Sequence, residues 1–148
     1  MRRWVLLSLS MMAMALSACG HTASATGCRV TRPITPTAQL VEATRSDTRW
    51  YGRDGLWVSL PTPNTRPDRQ PNGLLHLKIA WWRLTPGNLS ENAIRLDVPG
   101  RAAAQVPSGN GMTGLQPTGV LFPKPGCWEV QGRVNTTTVT IVVKVRPA

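Results

Sequence analysis

The three cysteines of this 148-residue chain are its side chains with the clearest capacity for covalent chemistry. Cys19 directly follows an apolar run near the N-terminus, whereas Cys28 and Cys127 lie in the rest of the chain. An exported protein meets an oxidising compartment, where a pair of cysteines favours a disulfide. A Cys28–Cys127 bond would close a loop of about 100 residues and stabilise the fold by about 4–5 kcal/mol. Two free thiols are the alternative.

The N-terminus has the pattern of an export signal. Residues 1–3 are Met-Arg-Arg, and residues 4–16 form an apolar run that is too short for a spanning helix of about 20 residues. The Leu-Ser-Ala-Cys run at 16–19 resembles the lipobox of bacterial lipoproteins. That resemblance implies a signal peptide at residues 1–18 and lipid on the Cys19 thiol. A secreted protein cleaved at a small residue is the alternative, and it would leave Cys19 as an odd thiol.

Groups for acid–base or metal chemistry are few. The chain has two histidines, His21 and His76, and seven carboxylates that form no recognisable motif. A Ser or Thr nucleophile would need His76 as its base and a carboxylate to orient that base. Cys28, Cys127 and His76 together fall short of a closed ligand set for a metal. The sequence therefore predicts no catalytic residue, no metal and no cofactor.

Residues 109–114 formally match the dinucleotide-binding pattern G-x-G-x-x-G. That pattern requires a strand before it and a helix after it. Pro107 precedes it and Pro117 follows it closely, and neither residue suits those elements. We therefore predict a flexible loop.

Six tryptophans are many for a chain of this size. Trp81 and Trp82 are adjacent, so a strand sends them to opposite faces. One of them belongs in the core. The other, with Trp57, either packs beneath the N-terminal segment or lies exposed. Exposed Trp57 and Trp82 could stack on a sugar ring, but packing is favoured because tryptophan is usually mostly buried.

The charge balance favours anionic partners. The chain has 17 basic and 7 acidic residues, and loss of Arg2 and Arg3 with the signal peptide leaves 15 basic residues. This excess favours association with anionic envelope surfaces. A solvated basic surface is the alternative. Nucleic acid is not predicted as a partner, because no recognition motif is present.

Alternating apolar residues predict the elements that position these groups. Residues 74–84 place four residues on one face, Leu75, Leu77, Ile79 and Trp81, and four on the other, His76, Lys78, Ala80 and Trp82. Further strands are predicted at 56–60, 92–98, 101–106, 115–122, 127–134 and 137–145. The strand at 92–98 is predicted to point Ile94, Leu96 and Val98 inward. Pro117 indicates a late start or an edge position for the strand at 115–122. In the strand at 127–134, Trp128 is predicted to point inward and Cys127 outward.

About six or seven short strands without a convincing helix predict an all-β fold, an immunoglobulin-like β-sandwich. We assign it to residues 50–148. Residues 19–49 read as a flexible, Pro-rich, lipid-anchored tether, because Pro33 and Pro36 favour extended backbone outside a sheet.

Several segments in order resemble a group of uncharacterised bacterial lipoproteins or secreted proteins with one immunoglobulin-like domain. They are Trp50-Tyr51-Gly52, Leu56-Trp57-Val58-Ser59-Leu60, Lys78-Ile79-Ala80-Trp81-Trp82-Arg83 and Pro125-Gly126-Cys127-Trp128-Glu129-Val130. The resemblance covers residues 28–146. It implies a location and a fold but no activity, so no catalytic residue is carried over.

We therefore expect a non-enzymatic lipoprotein of the bacterial cell envelope. The acylated N-terminus would hold it on the outer side of the cytoplasmic membrane or in the outer membrane, with a protein or cell-wall component as its partner. One alternative is a carbohydrate-binding module that uses Trp57 and Trp82. Another is an inhibitor or accessory domain of an envelope enzyme, acting through the loop at 107–118.

Overall fold

The computed structural model describes residues 27–46, 49–60 and 66–148. These ranges contain nine β-strands and one short α-helix: α1 (Ala38–Thr44), β1 (Trp50–Arg53), β2 (Leu56–Ser59), β3 (Asp68–Arg69), β4 (Leu75–Arg83), β5 (Leu89–Arg95), β6 (Arg101–Gln105), β7 (Gly114–Phe122), β8 (Gly126–Val134) and β9 (Thr137–Val145). The prediction of an all-β chain is confirmed, but β1 and β3 raise the strand number above the six or seven predicted. The predicted signal peptide and Cys19 lie outside the described residues.

The strands form one antiparallel sheet that folds back on itself. Their order is β1-β2-β4-β7-β6-β5-β8-β9, with β3 paired to the start of β4. Strand β6 pairs with β5 through Arg101 and Ala102, and with β7 through Ala103 to Gln105. It therefore connects a first layer, β1-β2-β4-β7, to a second layer, β5-β8-β9. The outer strands β1 and β9 approach each other, so the sheet is nearly closed.

The core lies between the two layers and is centred on two tryptophans. Trp128 is fully buried and packs on Phe122, with ring centroids 5.0 Å apart. Trp81 is also fully buried, and its ring lies against Gly132 of β8. The predicted inward direction of Trp128 is confirmed, and Trp81 is the member of the 81–82 pair that lies in the core. Because Trp81 and Trp128 come from different layers, they join the two sheets through one core.

Strand β5 differs from its prediction in register. The predicted inward residues were Ile94, Leu96 and Val98. Instead Leu89 and Ala93 are buried, and the last two predicted residues are 48% and 49% exposed. The strand ends at Arg95, whose backbone N–H donates to the Gly100 carbonyl and closes a turn. A shift of one residue exchanges the two faces of a strand, so the inward prediction for residues 94, 96 and 98 is wrong.

Strand β7 also differs from its prediction, because it lies between β4 and β6 rather than at an edge. It pairs with β4 over its full length, and Pro117 lies opposite Ala80. Strand β6, however, pairs with β7 only from Gly119 to Leu121. Pro117 therefore lies where β7 has a single neighbour, which is where a sheet tolerates a residue without an N–H.

The segment from Cys28 to Ile34 is packed on the domain and crosses the gap between β9 and β1. Cys28 and Cys127 form the predicted disulfide, with Cα atoms 5.5 Å apart. The Thr31 N–H donates to the Val142 carbonyl on β9 at 3.0 Å. The Ile34 N–H then donates to the Trp50 carbonyl on β1 at 2.9 Å. The part of the predicted tether that the structure describes is therefore bound at both edges of the sheet.

Helix α1 follows this segment and was not predicted. The Thr37 hydroxyl caps its first turn by accepting a hydrogen bond from the Leu40 N–H at 3.3 Å. Leu40 is fully buried against Trp50 and Trp57 on the outer side of the first layer. Seven residues are too few for a stable isolated helix, so this packing supplies its stability.

Candidate functional site

A groove of about 1050 Å³ lies on the outer face of the first layer. Its floor is made of small or flat side chains on the two central strands, Ala80, Pro117 and Gly119. Leu60 borders it on the side of β2, and Pro107 borders it after β6. Because neighbouring outward positions carry larger groups, the small residues leave a depression across the sheet.

The alternation of β4 positions the polar groups of the groove. His76, Lys78 and Ala80 all line it, which confirms the face predicted for them. Lys78 lies opposite Gly119 in the register of β4 and β7. A Cβ atom on Gly119 would collide with Nε2 of His76, so the imidazole lies over this glycine. Glycine at this position thus leaves room for the histidine ring.

The electrostatic character of the groove is cationic. Arg49 and Lys78 line it, and the described residues of its lining include no carboxylate. Asp68 on β3 lies opposite His76 in register, next to the groove. Within the described ranges no hydrogen bond or ion pair occupies the side chains of Ser59, His76 or Lys78. These groups are therefore available to hydrogen-bond an incoming ligand.

The geometry separates the two groups that a hydrolytic site would have to bring together. Ser59 lies opposite Ala80, and His76 is four residues further along β4, which corresponds to about 13 Å. Proton transfer requires hydrogen-bond distance or one bridging water. Ser59 and His76 therefore do not form a nucleophile–base pair. Among the described residues, no three His, Cys, Asp or Glu side chains gather into a group that could hold a metal ion.

The tryptophans singled out for ligand stacking lie beside each other near one end of the groove. Trp57 on β2 is the cross-strand neighbour of Trp82 on β4. Trp57 is only 3% exposed, because α1 covers it through Leu40. It therefore has no open face for a sugar. Trp82 is half-buried at the edge of this cluster, opposite Leu115, which is 48% exposed.

The glycine-rich loop is anchored to the β-domain by a buried arginine that the sequence did not single out. Arg83 is 2% exposed and donates to the Gly87 and Asn110 carbonyls, both at 2.9 Å. Burial lowers the pKa of its guanidinium. The Gly87 N–H donates to the Met112 carbonyl at 2.9 Å. These bonds tie residues 107–114 to the turn after β4.

A second polar group lies between the layers. The Trp81 indole N–H donates to Oε1 of Glu91 at 2.9 Å. The other oxygen, Oε2, is buried without a partner among the described residues. Burial raises the pKa of Glu91, while the hydrogen bond from Trp81 acts in the opposite direction. Glu91 therefore serves the packing of the core and does not reach the groove.

Several groove residues were missed by the sequence reasoning. Arg49 and Gln105 lie outside β4, so the alternation of β4 gives no information about them. They join the groove on the outer face of the first layer only when the chain folds. Gly119 did carry a signal, because glycine inside a strand marks a close approach. The close approach here is that of His76.

Comparisons with protein-family models, curated proteins and solved structures find no match to this chain. None of the helices in the described residues is long and apolar enough to cross a membrane.

Proposed function

We propose that this chain is a non-enzymatic lipoprotein of the bacterial cell envelope, whose β-domain binds a protein or cell-wall component in the outer groove. The observation that carries the proposal is the groove itself. It is large, cationic and lined by Ser59, His76 and Lys78, whose side chains have no bonding partner in the described ranges. Ligand sites are typically concave, mostly apolar surfaces with a few polar groups that converge on them.

The anchor part of the proposal rests on Cys19 and on the packing of Cys28. From Cys19 to Cys28 the backbone spans at most about 30 Å. Because Cys28 is bonded to Cys127, a lipid on Cys19 would hold the domain close to the membrane surface. Fatty-acid labelling in cells should mark the wild type and not Cys19→Ala. Equal labelling of the two would remove the anchor from the proposal.

The immunoglobulin-like class of the domain is also a proposal, supported by strand order. The order β2-β4-β7-β6 beside β5-β8-β9 matches the A-B-E-D and C-F-G sheets of an immunoglobulin constant-type fold. Two features depart from that pattern. The disulfide joins β8 to the N-terminal segment rather than to the other layer, and β6 pairs with both layers.

Photo-crosslinking in intact cells tests the binding part. A photoreactive amino acid at Ala80 lies on the groove floor, and the same group at Ser90 lies on the exposed face of the second layer. We expect a crosslinked species from position 80 that is absent or much weaker from position 90. The same species at equal yield from both positions would contradict binding in the groove.

A further inference from the structure

We infer that one end of the β-domain binds the surface of a membrane that contains anionic phospholipids, with Leu96 and Val98 among the headgroups. We call it the disulfide end. It consists of the Cys28–Cys127 bond, the β5–β6 connection at 96–100, the β7–β8 connection at 123–125, and residues 144–146 at the end of β9. The inference rests on the proposed function, because it begins from a lipid on Cys19.

Backbone and side-chain bonds bring the parts of the disulfide end together. The Leu96 N–H donates to the Cys127 carbonyl at 2.8 Å, which places the β5–β6 connection beside the disulfide. The Trp128 indole N–H donates to the Lys124 carbonyl at 3.2 Å and holds the β7–β8 connection. Lys144 is the cross-strand neighbour of Cys127. These segments therefore meet at one end of the second layer.

Two large apolar side chains lie exposed at the disulfide end. Leu96 and Val98 are 48% and 49% exposed, and neither belongs to a cluster of the core. The fold therefore gives these side chains no packing role that would explain them. Apolar groups at a protein surface gain free energy when they leave water for the interface of a bilayer, which favours their insertion.

Basic side chains accompany this apolar pair. Five of them lie in the disulfide end or next to it in sequence, and all five are exposed and form no ion pair with a described residue: Arg29, Arg101, Lys124, Lys144 and Arg146. Each Lys or Arg close to an anionic leaflet strengthens binding about fivefold. Apolar groups together with basic groups are the combination that binds an anionic membrane interface.

The described acidic side chains leave most of this charge uncompensated. Among the described residues that make up the disulfide end, Asp97 alone is acidic, and it is paired with Arg95 at 2.6 Å. Glu129 lies two residues beyond Cys127 along β8 and is half-buried. Five basic groups therefore remain to attract the phosphates of a lipid surface.

The sequence of the undescribed segments brings no acidic residue next to Cys28. Residues 1–26 contain none, and neither do residues 61–65. The remaining undescribed acidic residue is Asp47. Its chain neighbour Ser46 accepts a hydrogen bond from the indole of Trp50 on the first layer, not at the disulfide end.

The connection to the anchor favours the same end. Cys28 is held at the disulfide end by its bond to Cys127, so the chain that leads from Cys19 joins the domain there. Nine residues of backbone reach at most about 30 Å. A lipid on Cys19 would therefore keep the five basic groups and the apolar pair near the bilayer, where the attraction of charges is screened over about 8 Å.

The first test compares the two ends of the domain. The full chain is incorporated into vesicles of phosphatidylcholine alone or of an equimolar mixture with phosphatidylglycerol. A photoreactive amino acid replaces Val98, or Thr136 in the exposed β8–β9 turn at the opposite end of the strands. Mass analysis after illumination measures the fraction of protein that carries a phospholipid adduct. On the mixed vesicles we expect position 98 to yield at least about fivefold more adduct than position 136, and about threefold more than on phosphatidylcholine.

A matched pair of charge reversals tests the basic groups. Lys144→Glu and Arg133→Glu both lie at exposed positions on the outer face of the second layer and change the net charge equally. Lys144 lies opposite Cys127, whereas Arg133 lies opposite Thr138 toward the other end. We expect Lys144→Glu to lower the adduct yield at position 98 about threefold, and Arg133→Glu to lower it by less than about 1.5-fold. Thermal melting confirms that both variants are folded.

Four results would each overturn the inference: no adduct at position 98, equal yields from positions 98 and 136, equal yields on the two kinds of vesicle, or equal losses from the two charge reversals. The proposed function is decided separately, by fatty-acid labelling of Cys19 and by the crosslinks at Ala80 and Ser90. Labelled Cys19 with equal adduct yields at positions 98 and 136 would mean that the anchor is present but the disulfide end does not face the membrane.

Discussion

The space between the two layers and the groove outside the first layer contain similar residues. They differ in whether the polar side chains are hydrogen-bonded within the domain. In each, a ring on β4 lies against a glycine of another strand, and polar side chains lie nearby. Between the layers, Trp81 lies on Gly132 and donates to Glu91. In the groove, His76 lies over Gly119, and the side chains of His76, Ser59 and Lys78 make no hydrogen bond or ion pair within the described ranges.

The difference teaches which polar groups the fold itself requires. Arg83 and Glu91 are buried or half-buried, and both make hydrogen bonds that hold other parts of the domain. A buried polar group that loses its partner destabilises a fold. The exposed Lys78 contributes no such bond, so the fold alone does not explain it. Substitutions in the interior should therefore change stability, and substitutions in the groove should change binding.

The largest effect is expected from Arg83→Met, which keeps much of the side-chain volume and removes the donors. The carbonyls of Gly87 and Asn110 lose their buried partner, so the free energy of unfolding should fall by about 2–4 kcal/mol. Denaturant unfolding measures this. Arg133→Met, at an exposed position on β8, is the control and should change stability by less than about 0.5 kcal/mol. Equal effects of the two would contradict the anchoring role of Arg83.

The two glycines should respond differently to alanine. In Gly132→Ala the new methyl group would overlap the six-membered ring of buried Trp81, and overpacking of this kind costs about 1–3 kcal/mol. In Gly119→Ala it meets the imidazole of His76, which can rotate into the open groove, so the cost should stay below about 1 kcal/mol. Thermal or denaturant unfolding compares them. A larger loss in Gly119→Ala would mean that the groove is as tightly packed as the core.

Glu91→Gln should remove a pH dependence of stability. Burial raises the pKa of Glu91 above its usual 4.5, so the folded state binds the proton more tightly than the unfolded state. The contribution of Glu91 to stability is then greatest below pH 4.5 and falls as pH rises from 4.5 to the raised pKa of the folded state. Glutamine keeps an oxygen for the Trp81 N–H and has no charge to bury.

We expect the wild type to lose stability across that range of pH and Glu91→Gln to lose less, with the variant the more stable near neutral pH. Unfolding by denaturant at a series of pH values measures the two slopes. Identical slopes in both proteins would show that Glu91 is not the group that titrates.

Much of the fold could be predicted from local alternation. The strand at 74–84 and the hairpin after Cys127 follow a period of two over eight or nine residues, and the structure confirms their faces. The prediction for β5 was wrong because the apolar alternation of residues 94, 96 and 98 continues into a turn. Ala93, the residue that is buried, is small and gives only a weak hydrophobic signal. Helix α1 was missed because its stability comes from the contact of Leu40 with Trp57.

The site was less accessible to such reasoning. The outward face of β4 was predicted correctly, and with it His76 and Lys78. The groove, however, also needs Arg49 from before β1 and Gln105 from β6, which become neighbours only through the order of the strands. The sequence suggested Trp57 as a residue that could stack on a ligand, but Trp57 packs against Leu40 of helix α1 instead.

The most direct test of the central claim, that the outer groove binds an envelope component, is co-sedimentation with washed, insoluble cell-wall material. The full chain, held in nanodiscs, is compared with Ala80→Trp, which fills the groove floor, and with Ser90→Trp on the opposite layer. We predict that the wild type and Ser90→Trp sediment with the wall material, while Ala80→Trp remains in solution. Sedimentation of all three proteins to the same extent would contradict the claim.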